Sequence, residues 1–101
     1  MMRFVSRFAI VPGSEAEYRR RHDAIWPEML ALLREAGLKN YSIWRRGDEL
    51  VEYFETDDIA AARRILAESD VKKRWDAYMQ DILILDEHGQ MLPMELEFAY
   101  N

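Results

Sequence analysis

The chain has 101 residues, half of them hydrophobic and a third charged, with a formal net charge of −5 and no cysteine. That is room for one domain, expected over residues 1–101, with a core that needs neither disulfide nor structural metal. The acidic balance argues against a nucleic-acid partner, no apolar run approaches the roughly 20 residues of a membrane span, and the lack of cysteine and of a signal-like opening predicts a cytoplasmic protein.

Residues 2–11 read as a strand, with Phe4, Ser6, Phe8 and Ile10 on one face and Arg3, Val5, Arg7, Ala9 and Val11 on the other. Pro12-Gly13 stops it. Ser14 followed three residues later by Glu17 has the form of a capping box, so a helix is expected next. Pro27 falls inside that helix's apolar pattern and predicts a kink or a restart, because it lacks an N–H and crowds the carbonyl of Asp23. Gly37 is placed to end the helix. Residues 40–46 and 49–56 form two strands around the turn Gly47-Asp48. Asp57 or Asp58 is positioned to cap a second helix, and Ser69-Asp70 a third that carries Trp75, Tyr78 and Met79. Residues 86–93 contain Gly89 and Pro93 and read as loop. Met94, Leu96, Phe98 and Tyr100 then alternate with Glu95, Glu97 and Ala99, which predicts a closing strand. The order β-α-β-β-α-(α)-β is the split βαβ of a ferredoxin-like α+β fold. Helices cover one face of such a sheet, and the apolar residues left on the other predict a two-fold homodimer, sheet against sheet.

Tyr18, His22 and Trp26 recur at i, i+4 and i+8 on the first helix. An imidazole between a phenol and an indole suits proton transfer near neutrality beside a flat apolar face. An amphipathic helix with one half-buried histidine accounts for the same pattern. Trp75, Tyr78 and Met79 form a second aromatic group, and Tyr41 to Trp44 a third. Rings interleaved with hydroxyls and carboxylates suit a sugar; plain core packing is the other reading, and the stronger one for Tyr78 and Met79. There is no cysteine nucleophile, His22 and His88 have no metal-ligand spacing, and the four glycines stand at turns rather than in a phosphate loop. What is left is acid–base or binding chemistry.

Three blocks in succession carry a family resemblance: Tyr18-x3-His22-Asp23-x-Ile25-Trp26-Pro27-Glu28, Gly37-x2-Asn40-Tyr41-Ser42-Ile43 and Asp70-Val71-x2-Arg74-Trp75-x2-Tyr78-Met79. Together they resemble the L-rhamnose mutarotase family, from about residue 4 to the last strand. The resemblance implies a ferredoxin-like homodimer of the dimeric α/β-barrel type. It implies interconversion of the α and β anomers of L-rhamnose or a related 6-deoxy aldose, with no metal and no cofactor. It assigns the proton-donor role to His22 and sugar contacts to Tyr18, Tyr41, Trp75 and Asp76. The family's Trp-Trp pair is Trp75-Asp76 here, a stacking face exchanged for a carboxylate, and residues 86–93 also depart from the family's loop; both bear on which sugar fits. Asp23, Glu28 and Asp76 are candidate partners for the second proton transfer. A cofactor-independent monooxygenase on the same architecture and a non-catalytic sugar-binding module are the alternatives.

Overall fold

The structure, a computed structural model, describes residues 1–100. Its strands are β1 (Met2–Ile10), β2 (Lys39–Arg46), β3 (Glu49–Thr56), β4 (Leu83–Ile84) and β5 (Leu92–Met94), and its helices α1 (Glu15–Asp23), α2 (Pro27–Glu35), α3 (Ile59–Glu68) and α4 (Asp70–Met79). The strands form one antiparallel sheet in the order β2-β3-β1-β4, with β5 also paired to β1. This is the expected ferredoxin-like order.

Directly opposed residues share a face of the sheet. Phe4 faces Phe54, Phe8 faces Leu50, and Glu52 lies between Ser6 and Ile43. This inner face packs under the helices: Phe8, Ile10 and Leu50 join Met29, Leu32, Trp75, Met79 and Ile82 in one core. Glu52 is a half-buried carboxylate on that face, while Arg45, opposite Leu50 on β2, is exposed. On the outer face Val5 faces Met94, and Arg7 stands between Val51 and Leu92, with Trp44 beyond Val51. Trp44, Ile84, Leu92 and Met94 are exposed there.

Local chemistry sets the element ends. Asp58 caps α3 by accepting from the Ala61 N–H (3.0 Å), and Ser69 caps α4 by accepting from the Lys72 N–H (3.2 Å). Pro27 restarts the chain as the first residue of α2, where its missing N–H has no intrahelical partner to lose. Gly37, at φ +79°, ends α2 with paired bonds from Leu38 N–H to the Leu33 carbonyl and from Gly37 N–H to the Arg34 carbonyl, each 3.0 Å.

Two expectations need correction. The capping box at Ser14 does not form. The Ser14 N–H already donates to the Val11 carbonyl (3.1 Å) and its Oγ donates there too (2.6 Å), so Glu17 has nothing to reach back to and turns to Arg20 and Arg21. The closing strand is not residues 94–100 either. The free edge of β1 is filled by β4 and β5, and residues 85–91 leave the sheet between them in a turn tied by Asp86, whose Oδ1 accepts from the His88 and Gln90 N–H groups (2.9 and 2.8 Å). Residues 95–100 form no strand, and Leu96, Phe98 and Tyr100 are exposed, because an alternating pattern with no neighbouring strand has no ladder to join. Among the described residues no helix is long and apolar enough to cross a membrane.

Candidate active site

The site lies where the last turn of α1 meets α4 over the inner face of the sheet. Arg21 makes that meeting rigid. Its guanidinium donates to Glu17 (2.6 Å), to both oxygens of Asp81 (2.8 and 3.1 Å) and to the Tyr78 carbonyl (2.9 Å), and it lies 4.6 Å over the Tyr78 ring. Only 9% of this arginine is exposed. A planar fork satisfied on every side fixes the rotation of α1 against α4, and so aims the next residue, His22.

The His22 ring stacks on Tyr18 (centroids 4.3 Å apart) and meets Trp75 edge-on at 5.4 Å. Its Nδ1 lies 3.1 Å from the Tyr18 carbonyl. A carbonyl only accepts, so Nδ1 carries the hydrogen and Nε2 is the nitrogen left for other chemistry. Burial pulls the His22 pKa below 6.5, opposed by that backbone bond and by Asp23. Trp26 does not continue the stripe, because α1 stops at Asp23; its ring instead backs Trp75, edge-on at 5.1 Å.

A cavity of about 370 Å³, within the range that holds small ligands, is lined by Tyr18, His22, Tyr41, Trp75 and Asp76, all five residues singled out in the sequence. Leu85, Gly89, Gln90 and Met91 line it from the 85–91 turn. A second hollow, of about 380 Å³, touches Tyr18 and His22 from the side of Arg19, Asp23 and Trp44, so His22 stands in a wall between the two. Of the carboxylates considered for the second proton transfer, Asp76 lines the first cavity, Asp23 borders the second hollow, and Glu28 is exposed outside both.

Glu52 was not among those candidates, and it lines the cavity beside Tyr41. The Tyr41 hydroxyl donates to its Oε2. Burial raises the Glu52 pKa above 4.5, against the pull of the Tyr41 hydrogen bond and the Lys72 ammonium. Burial, with the Glu52 charge behind it, raises both Tyr18 and Tyr41, which therefore stay neutral hydroxyls at physiological pH. Lys72 itself pairs with Asp76 one turn along α4. The sequence did carry a signal for Glu52: it breaks the apolar inward register between Leu50 and Phe54. Among the described residues no three His, Asp or Glu side chains gather as a metal's ligands would.

The family model for L-rhamnose mutarotase matches residues 3–98. The chain belongs to the L-rhamnose mutarotase family. Among its relatives, the L-rhamnose mutarotase of Burkholderia orbicola (strain MC0-3) is 43% identical over 93 residues, covering 90% of this chain and 88% of that one. That of Listeria monocytogenes serotype 4b (strain F2365) is 35% identical over 102 residues, covering 99% and 97%. The crystal structure of an L-rhamnose mutarotase from Formosa agariphila matches over the whole of both chains with a TM-score of 0.86 at 25% identity. Tetracenomycin F2 cyclase from Streptomyces glaucescens, at 17% identity and a TM-score of 0.59 over 100% of this chain and 98% of that one, shares the fold. The expected architecture, ferredoxin-like of the dimeric α/β-barrel type, is borne out, and membership of the L-rhamnose mutarotase family makes the chain a sugar isomerase that exchanges anomers.

Proposed function

We propose that this cavity opens and recloses the pyranose ring of L-rhamnose or a related 6-deoxy aldose, with protonated His22 giving its Nε2 proton to the ring oxygen. The observation that carries the reading is the convergence of His22, Tyr18, Tyr41, Trp75 and Asp76 on one cavity in a chain of this family. The Trp75 ring offers an apolar face to the sugar's C–H side, while the neutral hydroxyls of Tyr18 and Tyr41 offer donors and acceptors to its hydroxyls. The chemistry calls on a proton donor, a proton acceptor and water, and on neither metal nor cofactor. Asp76, drawn toward Lys72, makes this part of the wall ionic where a second indole would be apolar, which tunes the preference among deoxy sugars.

Saturation-transfer NMR on L-rhamnose, L-fucose and related aldoses tests the reading, since it reports anomer exchange and ranks substrates together. His22→Ala is expected to fold, to bind sugar, and to lose about 10²–10⁴-fold of the exchange rate, the usual worth of a positioned general acid. Full exchange in that variant would remove His22 from the mechanism.

The working unit in this reading is a cytoplasmic homodimer. Val5, Trp44, Val51, Ile84, Leu92 and Met94 form an apolar patch on the outer face of the sheet beside the Arg7–Glu49 pair, and a second copy presenting the same surface would cover it with matching chemistry.

A further inference from the structure

Resting on the mutarotase reading with His22 as donor, we infer that Glu52 is the base that takes the proton from the sugar's anomeric hydroxyl. Two carboxylates line the cavity, Glu52 and Asp76. Asp76 is more than half exposed, and its carboxylate is already engaged by the Lys72 ammonium on its own helix. Glu52 is half-buried on the inner face of β3 and accepts a hydrogen bond from the Tyr41 hydroxyl. A carboxylate has about four acceptor positions, so capacity remains for a hydroxyl held in the cavity. Burial in a row with Leu50 and Phe54 disfavours a charge, and an apolar residue there would serve stability better.

The groups around Glu52 suit the task. Tyr41 on β2 holds it, Ser6 lies opposite on β1, Tyr18 and His22 come from α1, and Lys72 and Asp76 from α4. Tyr18, whose ring is stacked on His22, feels the Glu52 charge, so donor and acceptor flank the same phenol.

The proton count closes. Glu52 takes the anomeric O–H proton as that oxygen's electron pair forms the aldehyde C=O; the bond from C1 to the ring oxygen breaks with its pair going to that oxygen; His22 supplies the proton it then carries. Rotation about C1–C2 presents the other aldehyde face. Closure returns one proton to His22 and passes the other from Glu52 to the anomeric oxygen. Burial raises one of these groups and lowers the other, so their proton affinities approach each other and neither direction of exchange runs steeply uphill.

The experiment is the pH dependence of anomer exchange for L-rhamnose and L-fucose in the wild type, Glu52→Gln, Tyr41→Phe and His22→Ala. Wild-type kcat/KM should be bell-shaped, rising above pH 4.5 as Glu52 loses its proton and falling from below pH 6.5 as His22 loses its own. Glu52→Gln should lose about 10²–10⁴-fold in kcat, keep KM within a few-fold, and lack the acid-side limb. Tyr41→Phe removes the bond that favours the carboxylate, so its acid limb should move to higher pH, a change that a packing defect does not produce. Exchange in Glu52→Gln within about threefold of wild type, or an unmoved acid limb in both variants, would overturn the inference. A wild type that exchanges neither sugar would sink the mutarotase reading itself, before any variant is compared. Full activity in His22→Ala with a dead Glu52→Gln would sink the donor assignment and leave Glu52 standing.

Discussion

Arg21 stands at the junction on which the site's geometry depends, and its removal is the sharpest single-residue test of that junction. Arg21→Met keeps an apolar stem but deletes the charged hydrogen bonds to Glu17, Asp81 and the Tyr78 carbonyl. It should lower unfolding free energy by about 1.5–3 kcal/mol, read by urea denaturation at pH 7. The same arginine shapes the acid limb of stability. Hydrogen bonds from Arg20 and Arg21 hold the Glu17 carboxyl down at about 2 against an ordinary 4.5, and Arg21 lowers Asp81 as well. A depressed folded-state pKa gives stability that is full above the unfolded value and lost as pH falls toward the folded one. Wild-type Tm should therefore fall between pH 4.5 and about 2, and Arg21→Met should lose the part of that slope due to Asp81 while Arg20 keeps much of the part due to Glu17. Glu52 has the opposite sign. Its raised folded-state pKa means the folded chain holds that proton more tightly than the unfolded chain, so stability falls as pH rises through the window above 4.5. Glu52→Gln should then melt at a higher temperature than wild type at pH 7, whatever it does to activity. His22 and Tyr18 could be picked out before the fold was known because helical spacing makes them neighbours. Glu52 showed only as a break in the apolar register of its strand, since its meeting with Tyr41 is a cross-strand event set by the sheet.

Among the elements, the helix starts and stops follow from side chains within one turn of the chain, and those are the parts the sequence made readable. Asp58, Ser69, Pro27 and Gly37 act where their chemistry predicts. Asp58→Ala should destabilise by about 1 kcal/mol through the lost Ala61 N–H bond, and Ser14→Ala by distinctly less, because no capping bond is there to lose; thermal melts of the two variants side by side would check the difference. Ser14 misled because the capping box is defined by spacing alone, and spacing does not register that Val11 had already taken the serine N–H. The last strand misled for a longer-range reason. Its alternation shows that one side is apolar, but which edge residues 83–94 would occupy is decided by pairing with β1, about eighty residues earlier. Splitting that strand frees residues 85–91 to become a wall of the cavity.

At the scale of the whole molecule, the sheet divides two tasks between its faces. The inner face, roofed by helices, lines the cavity; the outer face, with Trp44, Ile84, Leu92 and Met94 exposed around the Arg7–Glu49 ion pair, is the surface proposed to meet a second copy. Trp44→Asp places a charge at the β2 edge of that face and should convert the proposed dimer to a monomer, seen as a halved mass in light scattering. An unchanged dimeric mass would exclude the outer sheet face as the contact. The three tryptophans follow the same division: Trp26 and Trp75 meet edge-on behind the cavity, while Trp44 is 67% exposed on the opposite face. If the proposed dimer forms through that face, intrinsic emission should mix a signal from Trp75 in the cavity wall with one from Trp44. With Trp44→Phe, light emitted on titrating in a monosaccharide would come from the two indoles at the cavity alone, giving a binding isotherm free of any contribution from subunit exchange.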